Sequence, residues 1–428
     1  MGDVEYSLGE KVGAFGGIMI GHFLDGYNLV LISYLLVPMA RYFHTGIGNI
    51  SLAATLSLIF SALGGVMLGW LADRYGRRNA LVLSVVIFGV FTLLSGAVTA
   101  LWQLYVLRAL VGLGVGGEWG IGFSLLTEIW SPKWRATGGG VLQSVFIAGS
   151  LVGAITAGFV LPTYGILVGW RYAFYIAGTA AIVGGLIRVF MPESKYWIQY
   201  NDLRRGGELQ REYVRTPLVQ IFSKEVRRWT LFSLLIGSAN LFIYFSYATY
   251  MPTLLGATFK IPIPDYTTIL IVGQAVAIPF YWIDGLLADR YGRKITAVGY
   301  GVGYFLAALV FLGTLLEAPK FIAPYLFPVF YSYTFVSMMQ GVSGEYGVWY
   351  GEHFPTRMRS TATNFGYMVG RGVAGATAVL FVPAVAGALG GIPAYGLAMS
   401  VAMLIGTVLQ LIGILGLRET KGTVVTSV

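Results

Sequence analysis

The sequence predicts an all-α integral membrane protein: twelve transmembrane helices in two pseudo-symmetric six-helix halves. Three observations predict it. The chain of 428 residues is 56% hydrophobic and 11% charged, with a mean hydropathy of +0.73, whereas a soluble domain carries about 25% charged residues. Its apolar residues gather into runs of about 20, the length that crosses a bilayer as a helix. The string GWLADRYGRR at 69–78 returns as GLLADRYGRK at 285–294, once per half, which marks a duplicated unit.

The first span, 12–38, holds Asp25 and, on the same helical face, His22 and Asn28. The second, 49–72, ends in the first motif copy, where Gly69 permits close helix contact and Gly76 a tight reversal into the third, 79–100. The fourth, 101–128, contains Arg108 and the stretch GLGVGGEWG with Glu118. The fifth, 137–160, carries Gln143 and Ser144, and the sixth, 168–191, has Arg188 near one end. A polar stretch of mixed charge then includes Arg204, Arg205, Glu208, Arg211, Glu212 and Arg215. It reads as a connector at 192–228 between one half at 1–191 and another at 229–428.

The seventh span, 229–255, sets Asn240, Tyr244 and Tyr247 at i, i+4 and i+7, on one helix face. The eighth, 267–288, carries Gln274 and closes on the second motif copy, where Gly285 and Gly292 repeat Gly69 and Gly76. The ninth is 295–316. The tenth, 321–350, has Gln340 and Glu345, and Gly344-Glu345-Tyr346-Gly347 echoes Gly117-Glu118-Trp119-Gly120. The eleventh, 361–388, has Asn364 and, about ten residues in, Arg371; the twelfth is 393–417.

Basic residues set the orientation. With the amino terminus inside, Lys11, Arg74, Arg77, Arg78, Lys133, Arg135, the cluster between 195 and 228, Arg290, Arg293, Lys294, Arg357, Arg359, Arg418 and Lys421 are cytoplasmic. Only Arg41, Arg171, Lys260 and Lys320 fall outside. The expectation is a multi-pass cell membrane protein with both termini cytoplasmic and no cleaved signal peptide. The net charge of +9 is then a topology signal and not a nucleic-acid patch. With no cysteine and three scattered histidines, no metal or redox site is expected, and no cofactor. The partners are the lipid bilayer, a small-molecule substrate and protons. A monomer suffices, because the site lies between halves of one chain.

In each motif copy a carboxylate ends a helix beside basic groups, a device that pins a neighbouring helix in one state and frees it in another. G-x-L-A-D-R-x-G-R-[RK] between the second and third spans resembles the signature of the major facilitator superfamily. RALVGLGVGGEWG at 108–120, PESKYW at 192–197 and RETKG at 418–422 resemble strings of its sugar-porter and metabolite:proton symporter branches. LDGYNLVLI in the first span resembles the opening of the sialate:proton and aromatic-acid:proton symporter branches. The resemblance covers the whole chain. It implies the major facilitator fold and a cytoplasmic gate of Asp73, Arg77, Glu128, Arg135 and Glu193 with the repeat set Asp289, Arg293, Glu352, Arg359 and Glu419. By the same resemblance, that network is expected to lock the outward-facing state.

Ionisable residues inside spans are costly and mark function. Asp25 lies about 20 Å along its span, at a depth where Arg108 meets it, so the two read as a proton-coupling pair or, in a uniporter, as a structural one. The sugar-porter branch has an aspartate where this chain has Asn28, which leaves Asp25 as the only acid in the first span. Glu118 joins the proton-coupling set, or serves with Glu345 as a structural pair. Arg188 snorkels, and His22 reads as packing or as a proton carrier. Arg371 offers a fork for a substrate carboxylate, or pairs with an acid such as Asp284. The remaining substrate-binding candidates are Asn28, Gln143, Asn240, Tyr244, Tyr247, Gln274 and Asn364.

No nucleotide loop, nucleophile elbow or metal cluster supports an enzyme. A sensor would carry an added soluble domain, and a channel would not need a duplicated gate with buried titratable groups. The expected function is secondary active transport of a small organic anion (a monocarboxylate, sialic acid or aromatic acid) by proton-coupled alternating access. The alternatives are a sugar or polyol transporter, symporter or facilitator, of the sugar-porter type, and a multidrug exporter.

Overall fold

The computed structural model describes residues 5–207, 216–261, 263–317 and 326–423. Glu208, Arg211, Glu212 and Arg215 of the expected connector, Lys320 and the opening of the tenth span lie outside the described residues. Among the described residues there are helices and turns and no strand.

The first half runs α1 (Leu8–Tyr42), α2 (Ile47–Tyr75), α3 (Arg77–Ser95), α4 (Leu101–Val115), α5 (Glu118–Ile129), α6 (Arg135–Tyr164) and α7 (Gly169–Arg188). Between the halves lie α8 (Lys195–Arg205) and α9 (Pro217–Gln220). The second half runs α10 (Arg227–Ala248), α11 (Met251–Thr253), α12 (Ile263–Tyr291), α13 (Arg293–Glu317), α14 (Leu326–Met339), α15 (Ser343–Glu352), α16 (Arg359–Asn364), α17 (Gly370–Ala388) and α18 (Tyr395–Gly416). Eleven described stretches are long and apolar enough to cross a membrane. The remaining span, the tenth, is divided between α14 and α15 by a tight turn at Gln340–Val342.

Sequence chemistry accounts for the helix ends. Ser7 accepts from the Glu10 N–H while the Glu10 carboxylate accepts from the Ser7 N–H, a capping box that starts α1. Gly76 at φ +107° and Gly292 at φ +118° make the reversals from α2 into α3 and from α12 into α13. That backbone region is open to glycine and strained for other residues.

Leu, Ile, Val and Phe side chains such as Ile155, Phe159, Leu186, Phe190, Leu380 and Leu415 face outward, as lipid requires. Inside, one apolar core fills the first half around Phe88, Trp170 and Phe174, and another fills the second around Tyr304, Phe311 and Tyr333. A third spans the halves around Trp119, Phe123, Tyr346, Trp349 and Tyr367. Glycines let helices close in: a Cβ at Gly149 on α6 would strike the Phe23 carbonyl on α1, and one at Gly140 the Tyr281 carbonyl on α12. The halves meet through α2 against α16 and α17, α6 against α12 and α15, and α5 against α15 and α16.

Three spans read as continuous are broken. The fourth breaks at Gly116-Gly117, directly before Glu118, and the tenth breaks at Gln340–Val342, shortly before Glu345. Glycine at the break explains both: it gives up helical order cheaply and lets a neighbouring helix lie where a side chain would be. The eleventh contains a π-helical stretch, Phe365–Val369, between α16 and α17. Such an inserted turn shifts the helix face, here just before Arg371.

Candidate functional site

Two charge clusters close the face that carries the basic loops. In the first, Asp73 at the end of α2 accepts from the Ser360 and Thr361 N–H groups at 3.1 and 2.7 Å and from the Thr361 hydroxyl at 2.7 Å. It thereby caps α16 of the opposite half with a negative charge, where the helix dipole is positive. Arg77 bridges Asp73 at 3.2 Å and Glu128 at 3.0 Å, and Arg359 reaches the same Glu128 oxygen at 2.6 Å.

The second cluster repeats the first with the halves exchanged. Asp289 accepts from the Ala136 and Thr137 N–H groups at 3.1 and 2.8 Å, capping α6. Arg293 bridges Asp289 at 2.9 Å and Glu352 at 3.1 Å, and Arg135 meets Glu352 at 3.1 Å. Glu193 takes the N–H groups of Arg77 and Arg78 at 3.0 and 3.1 Å, and Glu419 those of Arg293 and Lys294 at 3.0 Å each. Burial pushes the Glu193 carboxyl above its ordinary range. Burial also raises Glu419, but the N–H groups of Lys421, Lys294, Arg293 and Thr420 outweigh it and leave it below.

All ten residues named for the gate thus lie in these clusters. The capping partners Thr137 and Thr361 were missed. The signal was present, because each follows the repeated arginine as Arg135-Ala136-Thr137 and Arg359-Ser360-Thr361.

Deeper in the bundle, Arg371 of α17 meets Asp25 of α1 at 3.5 Å, an ion pair across the halves. The Arg371 guanidinium also lies 5.8 Å from the Phe146 ring centroid. Asp25 is fully buried, and neither of its oxygens has a hydrogen-bond donor among the described residues. The expected contact of Asp25 with Arg108 is replaced by this one. Arg108 instead lies 3.4 Å from the Asn28 carbonyl and faces the Phe174 ring at 5.9 Å. Helix geometry explains the correction: three residues separate Asp25 from Asn28 by about 4.5 Å along the axis and turn its side chain about 60° away. Asn28 therefore sits by α4, while Asp25 faces α17. The alternative partner for Arg371, Asp284, is not the one it takes.

Arg188 does not snorkel. It turns inward, fully buried, to Glu118 at 2.8 Å and donates to the Gly17 carbonyl of α1 at 2.7 Å. Gly21 makes room for it, since a Cβ there would strike both the guanidinium and the Glu118 carboxylate. His22 is buried between the rings of Phe123 and Phe146, at 6.2 and 5.6 Å.

The polar candidates divide into committed and uncommitted groups. Gln143 accepts from the Trp119 indole at 2.8 Å, and Trp119 stacks on Tyr367 of the other half at 3.7 Å. Asn364 accepts from the Gly120 N–H at 2.9 Å, and Asn28 donates to Leu24 within its own helix. Asn240 pairs with Gln340 at 3.0 Å, and Tyr304 donates to the same Gln340 at 2.7 Å. Tyr244 and Tyr247 contact each other edge to face, and Gln274 reaches the Tyr333 hydroxyl only at 3.5 Å.

A family model described as "Major Facilitator Superfamily" matches residues 18–379. The cis,cis-muconate transport protein of Acinetobacter baylyi is 30% identical over 375 residues, covering 86% of this chain and 86% of that protein. The sialic acid transporter NanX of Escherichia coli is 26% identical, covering 89% of this chain and 87% of that one. In structure, the chain is similar to the proton:xylose symporter XylE bound to 6-bromo-6-deoxy-D-glucose, with a TM-score of 0.80 over 98% of each chain at 16% identity.

Proposed function

The chain belongs to the Major Facilitator Superfamily, and from that premise we propose that this transporter moves a small organic anion together with a proton. The observation that carries the proposal is the Arg371–Asp25 pair at 3.5 Å. Arg371 is a buried cation at the contact between the halves, where a carboxylate can reach it, and Asp25 occupies it in the resting site. An incoming carboxylate must displace Asp25.

Charge then decides the coupling. The pair alone is neutral. Adding one anion leaves a net negative charge in a dry site, and an uncompensated buried charge costs several kcal/mol. Protonating Asp25 restores neutrality and releases Arg371 for bidentate contact with the substrate. One anion and one proton therefore bind together more favourably than either alone. The muconate and sialic acid transporters among the relatives carry carboxylates, which supports the same substrate class.

The basic face is cytoplasmic by its excess of Lys and Arg, so the clusters at Asp73 and Asp289 close the cytoplasmic side. The state described here is the one that loads from outside. Substrate and proton bridge α1 and α17 and strengthen the contact between halves at depth. The cytoplasmic clusters, each shared between halves, then separate as the halves rock. Beneath the pair, Gln143 holds Trp119, which stacks on Tyr367 of the other half, and Asn364 holds the Gly120 N–H.

Uptake into liposomes tests this, using a labelled panel of carboxylates and sugars with and without an inward proton gradient. Gradient-driven accumulation of a carboxylate, abolished in Arg371→Ala, is the expected outcome. Equilibration of a sugar, indifferent to the gradient and to Arg371, overturns the proposal.

A further inference from the structure

Asp284 on α12 and Glu345 on α15 are both fully buried. None of their four carboxylate oxygens has a hydrogen-bond donor among the described residues. Helices α12 and α15 pack against each other, and the charge of Asp284 is among those that reach Glu345. Glycines bring the two elements together. A Cβ at Gly341 would lie 2.7 Å from the Phe280 carbonyl, and one at Gly344 3.5 Å from the Tyr281 carbonyl.

The duplication supplies an independent observation. In the first half Glu118, the counterpart of Glu345, is neutralised by Arg188 at 2.8 Å. Aligning Glu193 with Glu419 places Ile414 where Arg188 stands, and aligning Gly69 with Gly285 places Leu68 where Asp284 stands. The second half has therefore lost the cation and gained a second acid. A neutral buried pair has become two like charges.

Among the described residues no cation is free to pair with either acid. Arg293 is committed to Asp289 and Glu352. Tyr300 of α13 donates to the Phe280 carbonyl at 3.0 Å. Tyr346 accepts from Gln410 at 2.6 Å. The other charges that reach the pair, those of Asp289, Glu352 and Glu419, are negative. From α6 the close neighbour is Gly140, which brings no charge. Two adjacent carboxylates in such a place cannot both ionise.

We infer that Asp284 and Glu345 form a proton-binding site, in which the two carboxyl groups hold one proton between them, separate from the Asp25–Arg371 pair. Glu345 lies two turns, about 10 Å, from Glu352 on α15, and Asp284 precedes Asp289 on α12. The shared proton is thus held by the two helices that end in the second charge cluster. When those helices part, water enters, the O–H bond breaks and the proton leaves to that water. The second half carries a proton-sensitive latch that the first half lacks.

Infrared spectroscopy of the full-length protein in lipid, in an Asp25→Asn background, tests this independently of the transport reading. At neutral pH the background protein is expected to show a protonated-carboxyl band. Asp284→Asn with Glu345→Gln, which keeps the shapes and removes both acids, is expected to remove one carboxyl's worth of that band. Asp284→Asn alone checks folding by giving a protein that still elutes as a single species. A band unchanged by the double substitution overturns the inference. So does a band that collapses on adding sodium at constant pH, because the site would then bind a metal ion.

Discussion

Arg371 and Asp25 act on each other across a boundary between halves, so each depends on the other for its charge balance. Asp25→Asn frees Arg371 without any proton being needed. We expect this variant to exchange substrate across the membrane but to lose accumulation under a proton gradient, read in counterflow against gradient-driven uptake. Arg371→Lys keeps the charge and loses the planar fork, and substrate affinity is expected to fall at least tenfold, about 1.4 kcal/mol. Arg188 gives a stability prediction. Arg188→Met leaves Glu118 unpaired in the interior, a loss of about 3–5 kcal/mol seen as a lower melting temperature in detergent. Adding Glu118→Gln restores most of it. The sequence singled out Asp25, Glu118 and Arg371 because charges inside apolar runs stand out. It did not reveal their partners, because pairing depends on helix rotation: Asp25 is turned away from Arg108 by a fraction of a turn, and Arg188 reaches inward past Gly21.

Helices α6 and α16 begin under the carboxylates of Asp289 and Asp73, and those two caps tie the halves together. Asp73→Asn weakens the charge–dipole contact and the bridge to Arg77. It is expected to shift the balance of states toward an open basic face by about 2 kcal/mol, roughly thirtyfold. The chain has no cysteine, so a single introduced cysteine lining that face reports the shift as faster thiol labelling. Asp289→Asn is expected to do the same to a comparable degree, because the clusters are near copies. The spans and the motif turns were legible as apolar runs and as glycines between charges. The breaks at Gly116-Gly117 and Gln340–Val342 and the π-helical stretch at Phe365–Val369 were not. Hydropathy averages over a span and is blind to a local change in hydrogen bonding, and glycine in a membrane helix serves packing as often as it ends order.

At the scale of the molecule, two copies of one unit build a closed basic face by exchanging identical contacts, while the centre is asymmetric. Asp25 belongs to the first half and Arg371 to the second, so neither half contains the whole of the proposed site. The duplication made the architecture readable from a ten-residue string, whereas the substrate class rests on one cross-half contact that no local pattern encodes. The central claim is that one anion and one proton enter a neutral pair and leave it neutral. Uptake of a monovalent carboxylate into liposomes, driven separately by a pH gradient and by a membrane potential, tests that claim most directly. The account predicts accumulation under the pH gradient and none under the potential alone. Accumulation driven by the potential without a pH gradient would contradict it.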